Sequence, residues 1–179
     1  MALARTAWGS NPPSWIRIAL VSLILANLPD MDYVFGFLIG RPNAFHRGWT
    51  HSLVFALGVA VLFGAFRYVM SGKVEIRSPL IVFGLISSHL VVDLLTLDVS
   101  DPVGIPVFWP FSSDHFASPV VLFRDVHKGV TNRMFFSVLF TTHNLITIGS
   151  EFLIFGPFVA VSYWILNRKQ KKAHARPES

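Results

Sequence analysis

Six ionisable residues lie within or at the mouths of apolar runs, where charge is costly. They are Asp30 and Asp32 in 27-NLPDMD-32, His46 and His51 in 45-FHRGWTHS-52, and His89 and Asp93 in 88-SHLVVDLLT-96. Ionisable groups in an apolar span usually face a protein interior and mark a function. His89 and Asp93 are four positions apart, so on a helix both project from one face. An imidazole nitrogen beside a carboxylate oxygen makes a metal platform; a buried His–Asp hydrogen bond that only fixes helix packing is the plainer alternative. Asp30 and Asp32 follow Pro29, which stops a helix. There they can cap local backbone N–H groups, or one can ligate a metal while the other orients a histidine or activates water. His46 and His51 have the wrong spacing for one helix face but suit a loop residue followed by a first-turn residue. Gly48 would permit the bend between them, and Thr50 would cap the helix that follows. Arg47 suits an anionic group, since guanidinium matches phosphate or carboxylate.

The chain has no cysteine, which removes disulfides and thiolate metal sites, so a metal would be held by imidazole and carboxylate. The mixed set Asp30, Asp32, His46, His51, His89 and Asp93 suits a divalent metal, zinc first, with manganese or iron as alternatives. Water on such an ion has a lowered pKa and supplies hydroxide for hydrolysis. Asp32 or Asp93 is then the general base, a choice that spacing does not make.

The elements that must position these residues are membrane helices. The 179-residue chain is 53% hydrophobic and only 14% charged, with a mean hydropathy of +0.55, whereas a soluble domain carries roughly 25% charged residues. A bilayer span needs about 20 mostly apolar residues. Residues 15–28 make a short first candidate, 50–70 a full span and 79–97 a third, with Pro79 placed at a helix start. Residues 134–148 are apolar but short and interrupted by His143 and Asn144; 151–166 form the last span, with Glu151 at its start. A secretory signal at 18-IALVSLILA-26 is disfavoured by the poor cleavage site at Ile24 and Ala26. The net charge of +5 comes largely from the tail 167–179, which reads as a membrane flank and not as a nucleic-acid binder.

Alternation of spans brings the three motifs to one membrane face. PDMD ends helix one, Thr50 and His51 open helix two, and HLVVD ends helix three. The expected fold is all-α: a single-domain (1–179), multi-pass bundle of about four spans with a long aromatic-rich loop over the polar site. In that loop Phe108, Trp109 and Phe111 read as interfacial aromatics or a lid. Asp114, His115, Asp125 and His127 are secondary site candidates, with His143 and Glu151 behind them.

In combination, NLPDMD, FHRGWTHS, SHLVVDLLT and 104-GIPVFWPFS-112 resemble the LexA-regulated, inner-membrane metal-dependent hydrolases (YdjM-like, formerly a domain of unknown function) over about Asn27 to Phe123. The resemblance implies an all-helical membrane protein with metal-dependent hydrolase activity. Its presumed site maps onto Asp30, Asp32, His46, His51, His89 and Asp93. The HxxxD element is also similar to that of all-helical zinc-dependent phospholipases C. Family members commonly carry a histidine ahead of the LPD motif, whereas His46 is the first here; the expectation is a segment upstream of Met1 or a lost ligand.

The sequence therefore points to a hydrolase of the inner membrane, with the lipid bilayer as its partner. It would activate water against a lipid-like or amphipathic ester or phosphoester, with Asp32 and Asp93 catalytic and Arg47 on the substrate. The alternatives are a transporter or a metal or proton pathway, whose relay residues would be spread through the membrane depth, and a metal-stabilised protein without catalysis. With four spans, Arg41, Arg47, Arg124, Lys128 and Arg133 lie on the site face. Arg5, Arg17, Arg67, Lys73, Arg77 and the tail lie opposite, which puts the site on the non-cytoplasmic face; if residues 134–148 also span, the tail changes sides and the count reverses.

Overall fold

A computed structural model describes residues 15–97, 99 and 102–174. The residues before Trp15, Asp101 in the loop, the end of the basic tail and the side chains after Trp164 lie outside the described residues.

Helix α1 (Trp15–Ala26) ends where the Asn27 side chain donates to the Leu23 carbonyl (2.9 Å). The chain bends by 63°, passes through a 3-10 turn over Leu28–Met31 and resumes as α2 (Asp32–Leu38). Sequence reading stopped the first helix at Pro29 and missed this restart, because 33-YVFGFL-38 is apolar but too short to stand as a span. A Cβ on Gly36 would collide with the carbonyl oxygen of Pro42, so α2 lies directly on the turn that follows it.

Two short 3-10 turns, Pro42–Ala44 and Trp49–His51, lead into α3 (Leu53–Ser71). Its cap is Ser52, which accepts from the Phe55 N–H at 3.1 Å. Thr50, the expected cap, is used elsewhere. The bend is also not where expected: Gly48 has negative φ, while Arg47 is the left-handed residue (φ 59°). Gly48 is needed because a Cβ there would meet the Phe45 carbonyl oxygen at 2.8 Å.

Helix α4 (Arg77–Leu94) returns antiparallel to α3. The core is their seam, with Ala56, Ala60, Val82 and Ile86 buried and Leu25, Phe63 and Phe83 packed around them. Ala56, Ala60 and Gly64 fall on one face of α3, and small residues let membrane helices approach closely. The outward faces carry Leu57, Val61, Leu62, Phe66 and Val69, all exposed and apolar as lipid contact requires.

The described residues between Leu94 and Asn132 form the expected loop. Val107 accepts from the Leu53 N–H (2.9 Å), and Leu94 and Leu95 accept from Ser118 and Leu122 (both 2.8 Å), which fixes the loop over the site ends of α3 and α4. Helix α5 (Asn132–Leu139) is short and capped by Thr131. Helix α6 then runs unbroken from Thr142 to His174, through Pro157. The expected break near residues 149–150 is absent; the Ser150 hydroxyl is satisfied within the helix by the Thr147 carbonyl (2.7 Å). Glu151 is therefore inside α6 and does not start a helix.

The regular structure among the described residues is helical, with only isolated bridges between Thr96 and Phe123 and between Ile105 and Phe116. Helices α3 and α4 are each long and apolar enough to cross a membrane, and the total rises to four if each bent pair, α1–α2 and α5–α6, is one span.

Candidate metal centre

Three local structures deliver the site. The turn after α1 presents Asp30 and Asp32, the two turns before α3 present His46, Arg47 and His51, and the last turns of α4 present His89 and Asp93. Neither aspartate is spent on capping; both face histidines.

Asp30 Oδ1 lies 3.5 Å from His51 Nε2 and 3.6 Å from His89 Nε2. Asp93 Oδ2 lies 3.3 Å and 3.4 Å from the same two nitrogens. These four atoms are buried and make no hydrogen bond. Leaving one such group unsatisfied costs about 1–3 kcal/mol. The donor atoms of Asp30, His51 and His89 lie close enough together to share an ion and so call for a common partner, with Asp93 Oδ2 beside the same two histidines. Donors at about 2.0–2.1 Å from a tetrahedral zinc stand roughly 3.4 Å apart, the spacing seen here.

Among the described residues, two overlapping sets have the spacing to hold an ion: Asp30, His51 and His89, and Asp32, His46 and His51. Only the first has free donor atoms. In the second, Asp32 Oδ2 accepts from the Thr50 hydroxyl (3.1 Å) and lies 3.3 Å from His51 Nδ1. Asp32 is 2% exposed. A carboxylate behind the distal nitrogen of a ligand histidine fixes its tautomer and ring orientation. His46 Nδ1 is 3.4 Å from Asp32 Oδ1, and its Nε2 is 2.7 Å from Lys128 Nζ. An ammonium only donates, so Nε2 accepts and Nδ1 carries the proton toward the carboxylates. Tyr33 stacks on the His46 ring at 4.2 Å.

Burial works against a charge on His51, but its contacts with Asp30 and Asp32 outweigh it and raise the imidazole to about 9. Burial lowers His46 despite its bond to Asp32. Burial, reinforced by the Arg47 guanidinium, also lowers Lys128. Arg47 itself reaches Asp93, with Nη2 3.7 Å from Oδ1.

Beside the cluster lies a cavity of about 660 Å³, whose walls include His46, Arg47, Trp49, His115, His127 and Lys128. Of the secondary candidates, His115 and Asp125 also line it. Asp114 is exposed and held by Ser112 (2.8 Å). His143 stacks on His127 at 3.8 Å, outside the cluster. Phe108, Trp109 and Phe111 are exposed.

Lys128, Thr50 and Asn144 escaped the sequence reading as site residues. Asn144, fully buried near the start of α6, accepts from the His127 N–H and donates to the His127 carbonyl, both at 2.8 Å. That clamp holds the strand of chain carrying Lys128. The signal for it was a polar Asn in an apolar run.

The sequence profile described as YdjM inner membrane protein matches residues 1–173. Inner membrane protein YbcI of Escherichia coli (strain K12) is 37% identical over 107 residues, covering 58% of this chain and 59% of that protein. The match thus spans less than two thirds of that relative's length. No solved structure matches.

Proposed function

The chain belongs to the YdjM inner membrane protein family, and we propose that it is a membrane-bound hydrolase that uses a divalent metal, zinc first, against an amphipathic ester or phosphoester. The observation that carries this reading is the cluster of buried donor atoms without hydrogen bonds on Asp30, His51 and His89, with Asp93 Oδ2 against the two histidines.

Asp30, His51 and His89 would hold the ion. Bound there, a divalent ion would supply Lewis acidity toward an ester oxygen and a lowered pKa for water. Asp32, with Thr50, orients His51 from behind. Asp93 has one oxygen toward the histidines and the other toward Arg47, so it is the better placed of the two aspartates to accept a proton. The cavity pairs polar His46, Arg47 and Lys128 with apolar Trp49, Val126 and Val130, which suits a substrate with a polar reacting group and an apolar body. A relay reading fits less well: α3 has no ionisable residue from Leu53 to Phe66, and α4 none from Ser78 to Ser88.

Metal analysis of purified wild type, His89→Ala and Asp93→Asn, with hydrolysis of p-nitrophenyl ester and phosphoester probes, tests this. The wild type is expected to hold a stoichiometric divalent ion and His89→Ala to lose it. Asp93→Asn is expected to keep the ion while hydrolysis falls by about 10²–10⁴-fold. No metal in wild type, or undiminished metal in His89→Ala, refutes the site; loss of metal in Asp93→Asn makes Asp93 a ligand and removes its role as proton acceptor.

A further inference from the structure

We propose that Lys128 and Arg47 form a two-cation clamp for a phosphate group, which makes the substrate of this site a phosphoester and not a carboxylic ester. The proposal rests on the metal-hydrolase reading above and names its substrate class.

Both cations line the cavity described beside the metal cluster. Lys128 Nζ has no carboxylate at ion-pair distance among the described residues; its close contacts are His46 Nε2 at 2.7 Å and the face of Tyr33 at 5.6 Å. A lysine drawn inward onto a neutral histidine and an aromatic ring is held there at the expense of hydration. The fold invests in holding it: Asn144 binds the neighbouring His127 backbone at both ends, and Asn43 donates to the Gly129 carbonyl (3.2 Å). Arg47 lines the same cavity from the turn before α3, on a left-handed backbone (φ 59°). Such a conformation is uncommon outside glycine and persists only where the surroundings hold it.

Charge on the cavity wall points the same way. Among the described lining residues, the two cations Arg47 and Lys128 stand against the single acid Asp125. A carboxylic ester brings no charge to meet them, whereas a phosphodiester or phosphomonoester brings the complementary anion. Guanidinium matches phosphate geometry in a fork, and ammonium serves as a point charge.

The test uses the full chain in detergent with one equivalent of zinc. Calorimetry measures inorganic phosphate, short-chain phosphatidic acid and, as the uncharged control, short-chain diacylglycerol. Wild type is expected to bind the phosphate-bearing probes and not the control. Lys128→Met should weaken binding by about ten- to hundredfold, and Lys128→Arg should restore most of it. Tighter binding of phosphatidic acid than of inorganic phosphate assigns the anion to a lipid headgroup, and equal binding assigns it to a soluble ester. Diacylglycerol bound as well as phosphatidic acid, or Lys128→Met unchanged, overturns the clamp. Zinc is assayed in the same samples: zinc retained with no phosphate bound overturns the clamp alone, whereas zinc absent from wild type overturns the metal reading and the clamp with it.

Discussion

His51 has each ring nitrogen facing a different carboxylate, Asp32 at Nδ1 and Asp30 and Asp93 at Nε2. Without an ion that arrangement favours the imidazolium, and the group rises from 6.5 to about 9. A raised histidine pKa stabilises the folded state fully below the unfolded value, and the contribution is lost as pH climbs through the folded one. The ion-free protein is therefore expected to lose thermal stability between pH 6.5 and about 9. Metal must displace the same proton, so affinity should rise roughly tenfold per pH unit across that window and then level off. Titration calorimetry in two buffers of different ionisation enthalpy would show the released proton. Affinity independent of pH, with no proton released, would falsify the assignment of His51. The six residue types and their pairing were legible because spacing and apolar context single them out. Their division of labour was not, since it depends on which nitrogen faces which oxygen. Lys128 was invisible for a different reason: 82 positions separate it from His46, and only the fold closes that gap.

Among the elements, the α3–α4 seam matters most, because it sets the distance between His51, just ahead of α3, and His89 on α4. Ala60 is 3% exposed at its centre. Ala60→Leu is expected to cost about 1–3 kcal/mol through overpacking and to lower metal content by splaying the two histidines. Thermal unfolding in detergent, with metal analysis of the same preparation, checks both. Unchanged stability together with full metal content would mean the seam yields without moving the site. Spans two and three were readable from length and apolarity alone. The restart at α2 and the unbroken α6 were not: the first depends on Pro42 packing against Gly36, and the second on serine and asparagine side chains satisfied locally or by the loop. Asn144 read as a flaw in a span, yet it is the residue that ties that span to the site loop.

The tie made by Asn144 also constrains the whole molecule. It places the start of α6 at the loop end of the bundle, the same end as Asp30, His51 and Asp93. If α1–α2, α3, α4 and α6 each span once, then the start of α1, the α3–α4 turn and the end of α6 share the opposite face. That face gathers Arg17, Arg67, Lys73, Arg77 and the tail cations, against Arg41, Arg47, Arg124, Lys128 and Arg133 around the site. Basic residues in short flanks favour the cytoplasm, so the site is expected to open on its other side, toward substrate and metal supplied from outside. Two of the site-face cations, Arg47 and Lys128, line the cavity; if they hold the proposed phosphate, their place is set by the site, and the remaining asymmetry is stronger than a plain count suggests. Paired fluorescent-protein and alkaline-phosphatase fusions, placed within residues 71–78 and after His174, should both report the cytoplasm. Fusions reporting opposite faces would sink the four-span arrangement. Both outside would keep the span count and turn the site inward, where its phosphoester would have to come from the cytoplasmic pool.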